Sequence, residues 1–89
     1  MRLKVEFTTE PFELDTFPAH AVAARQVVDA AGLAVTVGPF GTEAEGLRDD
    51  VLAAVTELLR ESLDAGATQI SLQVTLLDND KTPEGVGTP

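Results

Sequence analysis

The order in which two hydrophobic periods follow each other is the feature of this chain that most constrains its fold. Apolar and polar residues alternate in 1–7 ("MRLKVEF"), in 33–37 ("LAVTV") and most cleanly in 68–77 ("TQISLQVTLL"). Alternation with a period of two is the pattern of a half-buried β-strand. The stretch 40–46 ("FGTEAEG") follows a Gly-Pro corner and has room for a short strand only. The sequence therefore predicts three regular strands and one short one.

The first helix is predicted between the first two strands. Asp15 or Thr16 is the expected N-cap, and Pro18 falls in the first turn, where its missing N–H group costs nothing. Gly32 is expected to end this helix. Its buried face is predicted from residues at helical spacing, namely His20, Ala24, Val27, Val28 and Ala31.

The second helix is the longest predicted element and covers 47–65. Gly66 is expected to end it in the left-handed conformation. One line of residues is predicted to face the core, and a second line is predicted to widen the buried face. The first line is Val51, Val55, Leu58 and Ser62, and the second is Leu52, Leu59 and Leu63.

The order strand, helix, strand, strand, helix, strand predicts an α+β ferredoxin-like domain, a β-α-β-β-α-β sandwich. Such a domain has a four-stranded antiparallel sheet with both helices on one face. We expect the first and third strands in the centre, the fourth beside the first and the second beside the third. This domain is predicted to cover 1–77, and 78–89, which is rich in Pro and Gly, is predicted to be a flexible acidic tail.

The two faces of the predicted sheet differ in composition. The face under the helices takes an apolar series, Leu3, Val5, Phe7, Val35, Val37, Ile70, Leu72 and Val74. The opposite face is predicted to be polar but hardly charged, with Lys4, Glu6, Thr8, Ala34, Thr36, Gln69, Ser71, Gln73 and Thr75. Hydroxyl and amide side chains suit a partly buried surface, which favours a homo-oligomer over an ordinary solvated face. The contact would be sheet-to-sheet or edge-to-edge and could enclose a ligand.

The charge of the chain limits its partners. Six basic and fifteen acidic residues give a net charge of −9, which repels nucleic acids and anionic membrane surfaces. The 89 residues contain no cysteine, which excludes a disulfide or a thiolate site. The sequence starts with a strand pattern instead of a signal peptide, and no stretch reaches transmembrane length. We therefore expect a cytoplasmic protein.

No catalytic or metal-binding arrangement stands out in the sequence. His20 is the only histidine and has no serine, cysteine or second histidine at a recognisable spacing, so a helix-surface or partly buried position is expected. The "DND" at 78–80 lacks the spacing of a calcium loop. We expect neither a metal nor a cofactor.

The corner at 37–46 ("VGPFGTEAEG") concentrates two carboxylates and a hydroxyl within a few residues. One interpretation is a turn in which Glu43 and Glu45 keep an edge strand soluble. The other is a binding site, because the predicted strand order brings this corner near Glu6 and Thr8 on the first strand.

Four stretches of the sequence resemble the family of small thiamine-binding domains, formerly grouped as a domain of unknown function. They are "VEFTTEPF" at 5–12, "GL" at 32–33, "GPFGTEAEG" at 38–46 and "GATQISLQV" at 66–74. The most specific part is Gly-Pro-x-Gly-Thr-x-x-Glu-Gly, carried by Gly38, Pro39, Gly41, Thr42, Glu45 and Gly46. The resemblance implies a ferredoxin-like fold, assembly through the sheets into dimers or tetramers, and a non-catalytic carrier or sensor of thiamine or of its hydroxymethylpyrimidine part.

The chemistry of that ligand gives the candidate residues their roles. An aminopyrimidine has an amine that donates and ring nitrogens that accept, so Glu45 is expected to accept from the amine and Thr42 to donate to the ring. The other carboxylates would balance the thiazolium cation, and Phe40, where many family members have Met, would add a ring face. The candidate ligand-binding residues are Thr42, Glu45, Glu6, Glu10, Phe40, Thr8 and Glu43.

Two other functions stay open on the sequence alone. A structural oligomerisation domain would explain the polar sheet face but not the compact Gly-Thr-x-x-Glu-Gly motif. A small ferredoxin-like enzyme with a cavity between two sheets is compatible with the fold, although no general base is evident.

Overall fold

A computed structural model describes residues 1–13, 15–38 and 41–77 of the chain. The elements in chain order are β1 (Arg2–Glu10), α1 (Ala19–Ala30), β2 (Ala34–Val37), β3 (Thr42–Leu47), α2 (Arg48–Asp64) and β4 (Gln69–Leu76). This is the predicted order. The predicted tail, 78–89, lies outside the described residues.

The four strands form one antiparallel sheet in the order β2-β3-β1-β4, as predicted. The register places Val5 of β1 opposite Ala44 of β3 and opposite Val74 of β4. Residues that oppose each other directly share a face of the sheet, so these apolar side chains form one row. The fold is therefore α+β and ferredoxin-like, with both helices on the face that carries this row.

The core lies between this face and the two helices. Its fully buried apolar residues are Val5, Val28, Ala44, Val51 and Leu58. The prediction that a second line of leucines widens the buried face of α2 is wrong, because Leu52, Leu59 and Leu63 are exposed. They lie on the flank of α2 opposite to the one that meets α1, and Ala54 enters the core instead.

The start of α1 also differs from the prediction. Pro18 is the N-cap residue, and its carbonyl oxygen accepts the N–H groups of Ala21 and Val22, without a side-chain cap. The hydroxyl of Thr16 instead donates to Glu13 Oε1 at 3.2 Å, within the segment before the helix. The predicted ends of the helices are confirmed, since Gly32 and Gly66 have φ angles of +75° and +108°.

The open face of the sheet, which is the face away from the helices, carries more charge than the sequence predicted. The β1–β3 register places Glu43 directly opposite Glu6, and Glu45 opposite Lys4. Lys4 Nζ lies 3.8 Å from Glu6 Oε2. The open face thus carries both carboxylates and basic side chains along β1 and β3, with the carboxylates in excess. β4 contributes only amide and hydroxyl side chains to this face.

No helix in the described part of the chain has the length and apolarity needed to cross a bilayer.

We predict that Ser62→Ala raises the free energy of unfolding by about 1 kcal/mol. The side chain of Ser62 is fully buried on α2, and its hydroxyl has no hydrogen-bond partner among the described residues. Removing this hydroxyl relieves its desolvation cost and adds helix propensity. Denaturant unfolding at equilibrium measures the change.

Thr56→Ala is the control for helix propensity, because Thr56 is exposed on the same helix and its hydroxyl donates to the Leu52 carbonyl. The gain from Ser62→Ala should exceed that of the control. A loss of stability in Ser62→Ala would show that the hydroxyl has a partner after all.

Candidate functional site

The corner between β2 and β3 rests directly on the backbone of β1. A Cβ atom added at Gly41 would lie 2.8 Å from the Phe7 carbonyl oxygen and 2.9 Å from Thr8 Cγ2. Only glycine permits this approach without a backbone shift. The Gly38 N–H group closes the corner by donating to the Gly41 carbonyl at 2.8 Å. The glycine of the motif at this position is therefore needed for packing.

A cavity of about 590 Å³ opens on the helix side of this corner, and we call it the loop cavity. It lies between the end of β1, the segment 11–18, the start of α1 and the corner. Its volume is within the range of small-molecule sites. The described lining residues are Phe7, Thr8, Thr9, Phe12, Glu13, Asp15, Thr16, Phe17, Pro18, Ala21, Ala24, Val37, Gly38, Gly41 and Thr42.

The lining of the loop cavity is aromatic and acidic. Phe12 and Phe17 are 71% and 86% exposed, which is unusual for large apolar side chains without a function. Glu13 and Asp15 add two carboxylates beside them, and no described lining residue is basic. Such a lining favours a cation with an aromatic or apolar body.

A buried histidine on α1 is hydrogen-bonded to two residues at the wall of the cavity. His20 is only 3% exposed. Its Nε2 lies 3.0 Å from the Pro11 carbonyl oxygen and its Nδ1 lies 2.7 Å from Thr9 Oγ1. The prediction that His20 begins the buried face of α1 is therefore confirmed, and the expectation of a helix-surface or partly buried position is wrong. Two sequence signals indicated this position: Thr9 continues the inward alternation of β1, and His20 lies one turn before the buried Ala24.

A second hollow, of about 430 Å³, lies on the open face, and we call it the open-face hollow. It is separated from the loop cavity by the corner at Gly41, which lines both. Its lining consists of Glu6, Phe7, Thr8, Gly38, Gly41, Thr42, Glu43, Ser71, Leu72 and Gln73.

The structure divides the candidate residues of the sequence between these two spaces. Thr42 and Thr8 line both of them, whereas Glu6 and Glu43 line only the open-face hollow. The predicted proximity of the corner to Glu6 and Thr8 is thus confirmed. Phe40 lies outside the described residues.

Glu45 and Glu10 line neither space. Glu45 and Thr42 are three positions apart on β3, so their side chains point to opposite faces of an internal strand. Glu45 Oε1 lies 3.7 Å from Arg2 Nη2 on the open face. Glu10 ends β1, and its carbonyl accepts the Thr68 N–H at 2.8 Å. The structure therefore does not bring Thr42 and Glu45 together around one ring.

Sequence reasoning missed the segment that supplies most of the aromatic and acidic side chains of the loop cavity. Phe12, Glu13, Asp15 and Phe17 belong to the irregular stretch between β1 and α1, where no periodicity assigns a side chain to a face. One signal was available: two phenylalanines stand in the short linker between β1 and α1, outside any helix or strand.

Residues 5–85 match the model of a protein family described as thiamine-binding proteins. The chain belongs to the thiamine-binding protein family. Two of the three motif glycines of this family member lie close to other atoms, since Gly41 approaches β1 and a Cβ at Gly46 would lie 2.7 Å from Leu33 Cδ2. No protein with a curated description matches the sequence.

Solved structures share the fold of this thiamine-binding family member. A domain of unknown function, DUF77, from Bacillus cereus has a TM-score of 0.67 at 22% identity, over 92% of this chain and 82% of that one. A candidate thiamine biosynthesis or salvage protein from Thermotoga maritima has a TM-score of 0.61 at 24% identity, over 84% and 81%. An acylphosphatase from Coxiella burnetii has a TM-score of 0.50 at 13% identity, over 88% and 83%. At these identities the likeness establishes the fold alone.

We predict that Gly41→Ala lowers the free energy of unfolding by about 1–3 kcal/mol, because the new methyl group meets backbone atoms of β1. Gly38→Ala is the matched control, since its Cβ would make an ordinary contact of 3.5 Å with the Gly41 carbonyl. The control should change the free energy by no more than about 0.5 kcal/mol. Equal effects in chemical denaturation would contradict the close packing of the corner on β1.

Proposed function

We propose that this chain binds thiamine, or the hydroxymethylpyrimidine part of thiamine, in the loop cavity and acts as a non-catalytic carrier or sensor. Membership of the thiamine-binding protein family supports the class of ligand. The observation that carries the proposal is the lining of the cavity, which combines exposed aromatic rings with carboxylates and has no basic side chain among the described residues.

The outer part of the loop cavity suits the thiazolium ring, which is a permanent cation. Phe12 and Phe17 can place ring faces on such a cation, an interaction of about 0.5–2 kcal/mol depending on desolvation. Glu13 and Asp15 add negative charge next to these rings. Both carboxylates are exposed, so their attraction for the cation is long-range and sensitive to salt.

The inner part of the loop cavity suits the aminopyrimidine ring. Phe7 offers an apolar surface, and Thr8 and Thr42 supply hydroxyl groups that can accept from an amine or donate to a ring nitrogen. Thr9 adds a third hydroxyl group to this lining. Thr42 and Thr8 therefore stay proposed ligand contacts. In this proposal Glu45 is not the acceptor for the amine, because it points to the open face. Glu6, Glu10 and Glu43 contribute at most to the negative potential of the region.

A catalytic role is the alternative that the shared fold of the Coxiella burnetii acylphosphatase raises. An enzyme that acts on a phosphate ester or an acyl phosphate needs positive groups to stabilise the charge of the transition state. The described lining of the loop cavity offers carboxylates instead. We therefore propose binding without catalysis at this cavity.

Calorimetry with thiamine, thiamine monophosphate and hydroxymethylpyrimidine tests the proposal. Thiamine and hydroxymethylpyrimidine should bind, and the monophosphate should bind more weakly than thiamine because its phosphate meets an acidic lining. Tighter binding of the monophosphate, or no binding of any of the three, would refute the proposed site.

The combined variant Glu13→Gln with Asp15→Asn should weaken thiamine binding about three- to tenfold at low salt, because two exposed charges near a cation each contribute roughly 0.3–0.7 kcal/mol. Hydroxymethylpyrimidine, which lacks the cation, should bind as it does to the wild type. The loss for thiamine should disappear as the salt concentration rises. Titration calorimetry at two ionic strengths measures both effects.

Glu45→Gln is the control, because it removes a carboxylate from the open face, away from the loop cavity. It should leave the affinity for both ligands unchanged. If Glu45→Gln weakens both ligands and the double variant weakens neither, the ligand binds on the open face and the loop cavity is the wrong site.

The proposal includes a homodimer that forms through β4. In the described part of the chain, β4 pairs with β1 along one edge and no strand pairs with its other edge. This outer edge is eight residues long and contains no charged residue and no proline, so it lacks the usual protection against strand pairing. In a chain of net charge −9, an uncharged edge is where a second copy meets the least repulsion.

Exposed apolar side chains continue this edge on the helix side. Val74 and Leu76 of β4 are exposed there, together with Leu52, Leu59 and Leu63 on the neighbouring flank of α2. An antiparallel β4–β4 contact about a twofold axis at Gln73 would place Leu72 opposite Val74 of the second copy. The same contact would bring the two α2 flanks together over one continuous sheet.

Val74→Lys should convert the proposed dimer into a monomer at micromolar concentration, because it puts a charge on the helix side of the shared edge. Val22→Lys is the control, since Val22 on α1 has the same 42% exposure as Val74. Sedimentation velocity measures the assembly state. A monomeric wild type, or a Val74→Lys variant that still dimerises, would refute assembly through β4.

A further inference from the structure

We infer that His20 determines which chemical class of ring the loop cavity selects. Because His20 accepts the hydrogen of the Thr9 hydroxyl, that hydroxyl can only accept a hydrogen bond from a ligand. The cavity therefore favours a heterocycle that presents an amino group to Thr9 over one that presents an oxo group. This inference rests on the proposed function, because it concerns the same cavity, and it goes further by naming a residue that does not line the cavity.

The hydrogen bonds of His20 define its tautomer. The Pro11 carbonyl oxygen can only accept, so Nε2 of the ring, 3.0 Å away, carries the hydrogen and donates it. In the neutral ring the other nitrogen, Nδ1, is then an acceptor. Thr9 Oγ1 lies 2.7 Å from Nδ1, so the Thr9 hydroxyl donates its hydrogen to the ring.

This arrangement leaves the Thr9 hydroxyl with acceptor capacity only. A hydroxyl has one hydrogen and two lone pairs, and the hydrogen of Thr9 is donated in the hydrogen bond to Nδ1 of His20. Thr9 cannot turn its hydrogen towards a ligand without leaving Nδ1 of a buried ring unpaired, which is costly. Thr9 lines the loop cavity although it is only 6% exposed. Any hydrogen bond between this hydroxyl and a ligand therefore needs an N–H or O–H group on the ligand.

An amino group and an oxo group on a pyrimidine have nearly the same size and opposite hydrogen-bond polarity. The amine can donate to Thr9, whereas the oxo oxygen faces the lone pairs of the hydroxyl without a hydrogen between them. A buried group left without its partner discriminates strongly between such analogues. We expect the wild type to bind the amino compound at least about tenfold more tightly than the oxo compound.

Nitrogen NMR of the imidazole ring tests the first step without any ligand. The expected result is a ring protonated at Nε2 with an unprotonated Nδ1 that accepts a hydrogen bond. A ring protonated at Nδ1 would overturn the inference, because Thr9 would then be free to donate.

Calorimetry with two probes tests the selectivity of the wild type. The first probe is hydroxymethylpyrimidine with its ring amine, and the second is the analogue in which an oxo group replaces that amine. Equal affinities would overturn the inference and leave the proposed function standing. Failure of both probes and of thiamine to bind would overturn the proposed function and the inference together.

Variants of Thr9 test whether its hydroxyl is the selecting group. Thr9→Val keeps the shape and removes the hydroxyl, so the preference for the amino probe should fall to within about twofold. Thr9→Ser keeps the hydroxyl and should keep the preference. A Thr9→Val protein that is folded in thermal unfolding and retains the wild-type preference would overturn the inference.

Two variants of His20 distinguish a role in ligand selectivity from a role in supporting the cavity wall. The amide of Gln in His20→Gln can reach the position of Nε2 and donate to the Pro11 carbonyl, but it leaves the Thr9 hydroxyl free to donate to a ligand. The amide oxygen of Asn in His20→Asn can take the place of Nδ1 and accept from the Thr9 hydroxyl. This variant loses the hydrogen bond to the Pro11 carbonyl oxygen.

The two variants should therefore behave differently. His20→Gln should lose the preference because binding of the oxo probe improves about five- to tenfold, a gain that damage to the fold cannot produce. His20→Asn should weaken both probes and keep their ratio. A His20→Gln variant that weakens both probes equally and keeps the ratio would show that the histidine only supports the wall, and would overturn the inference.

Discussion

Every other element of the domain takes its position from β1, which is hydrogen-bonded to β3 on one side and to β4 on the other. Its alternation assigns each residue to a face of the sheet for both pairings at once. Leu3, Val5 and Phe7 lie under the helices, and Glu6 and Thr8 lie on the open face. A slip of one residue would bury Glu6 and expose Val5, so burial of the helix-side row fixes the register on both sides.

The region proposed for binding begins where this regular strand ends. Thr9 still follows the alternation of β1, and its hydrogen bond to His20 extends the influence of the sheet to the first helix. Residues 11–13 and 15–18 are not part of the sheet, and the corner at Gly41 lies against β1. A cavity results because an irregular wall and a tight corner stand at the end of a rigid sheet, which is a common arrangement for binding sites.

The excess of negative charge is spread over several surfaces of the domain but is absent from β4. Carboxylates lie on the open face along β1 and β3, where Glu6 and Glu43 oppose each other, at the loop cavity, where Glu13 and Asp15 lie, and on α2, which carries five. β4 carries no charge at all. The β4 edge is therefore free of the repulsion that the net charge of −9 imposes elsewhere.

The sequence by itself determined the order of the elements, the strand order and the helix ends at Gly32 and Gly66, because periodicity and left-handed glycines are local signals. The motif also pointed to the corner. Only the tertiary structure decided that Thr42 and Glu45 lie on opposite faces, since that follows from the pairing of β3 inside the sheet. It alone also decided that the phenylalanines of the irregular segment line the same cavity as Thr9, because a stretch without periodicity takes its position from the elements on which it packs.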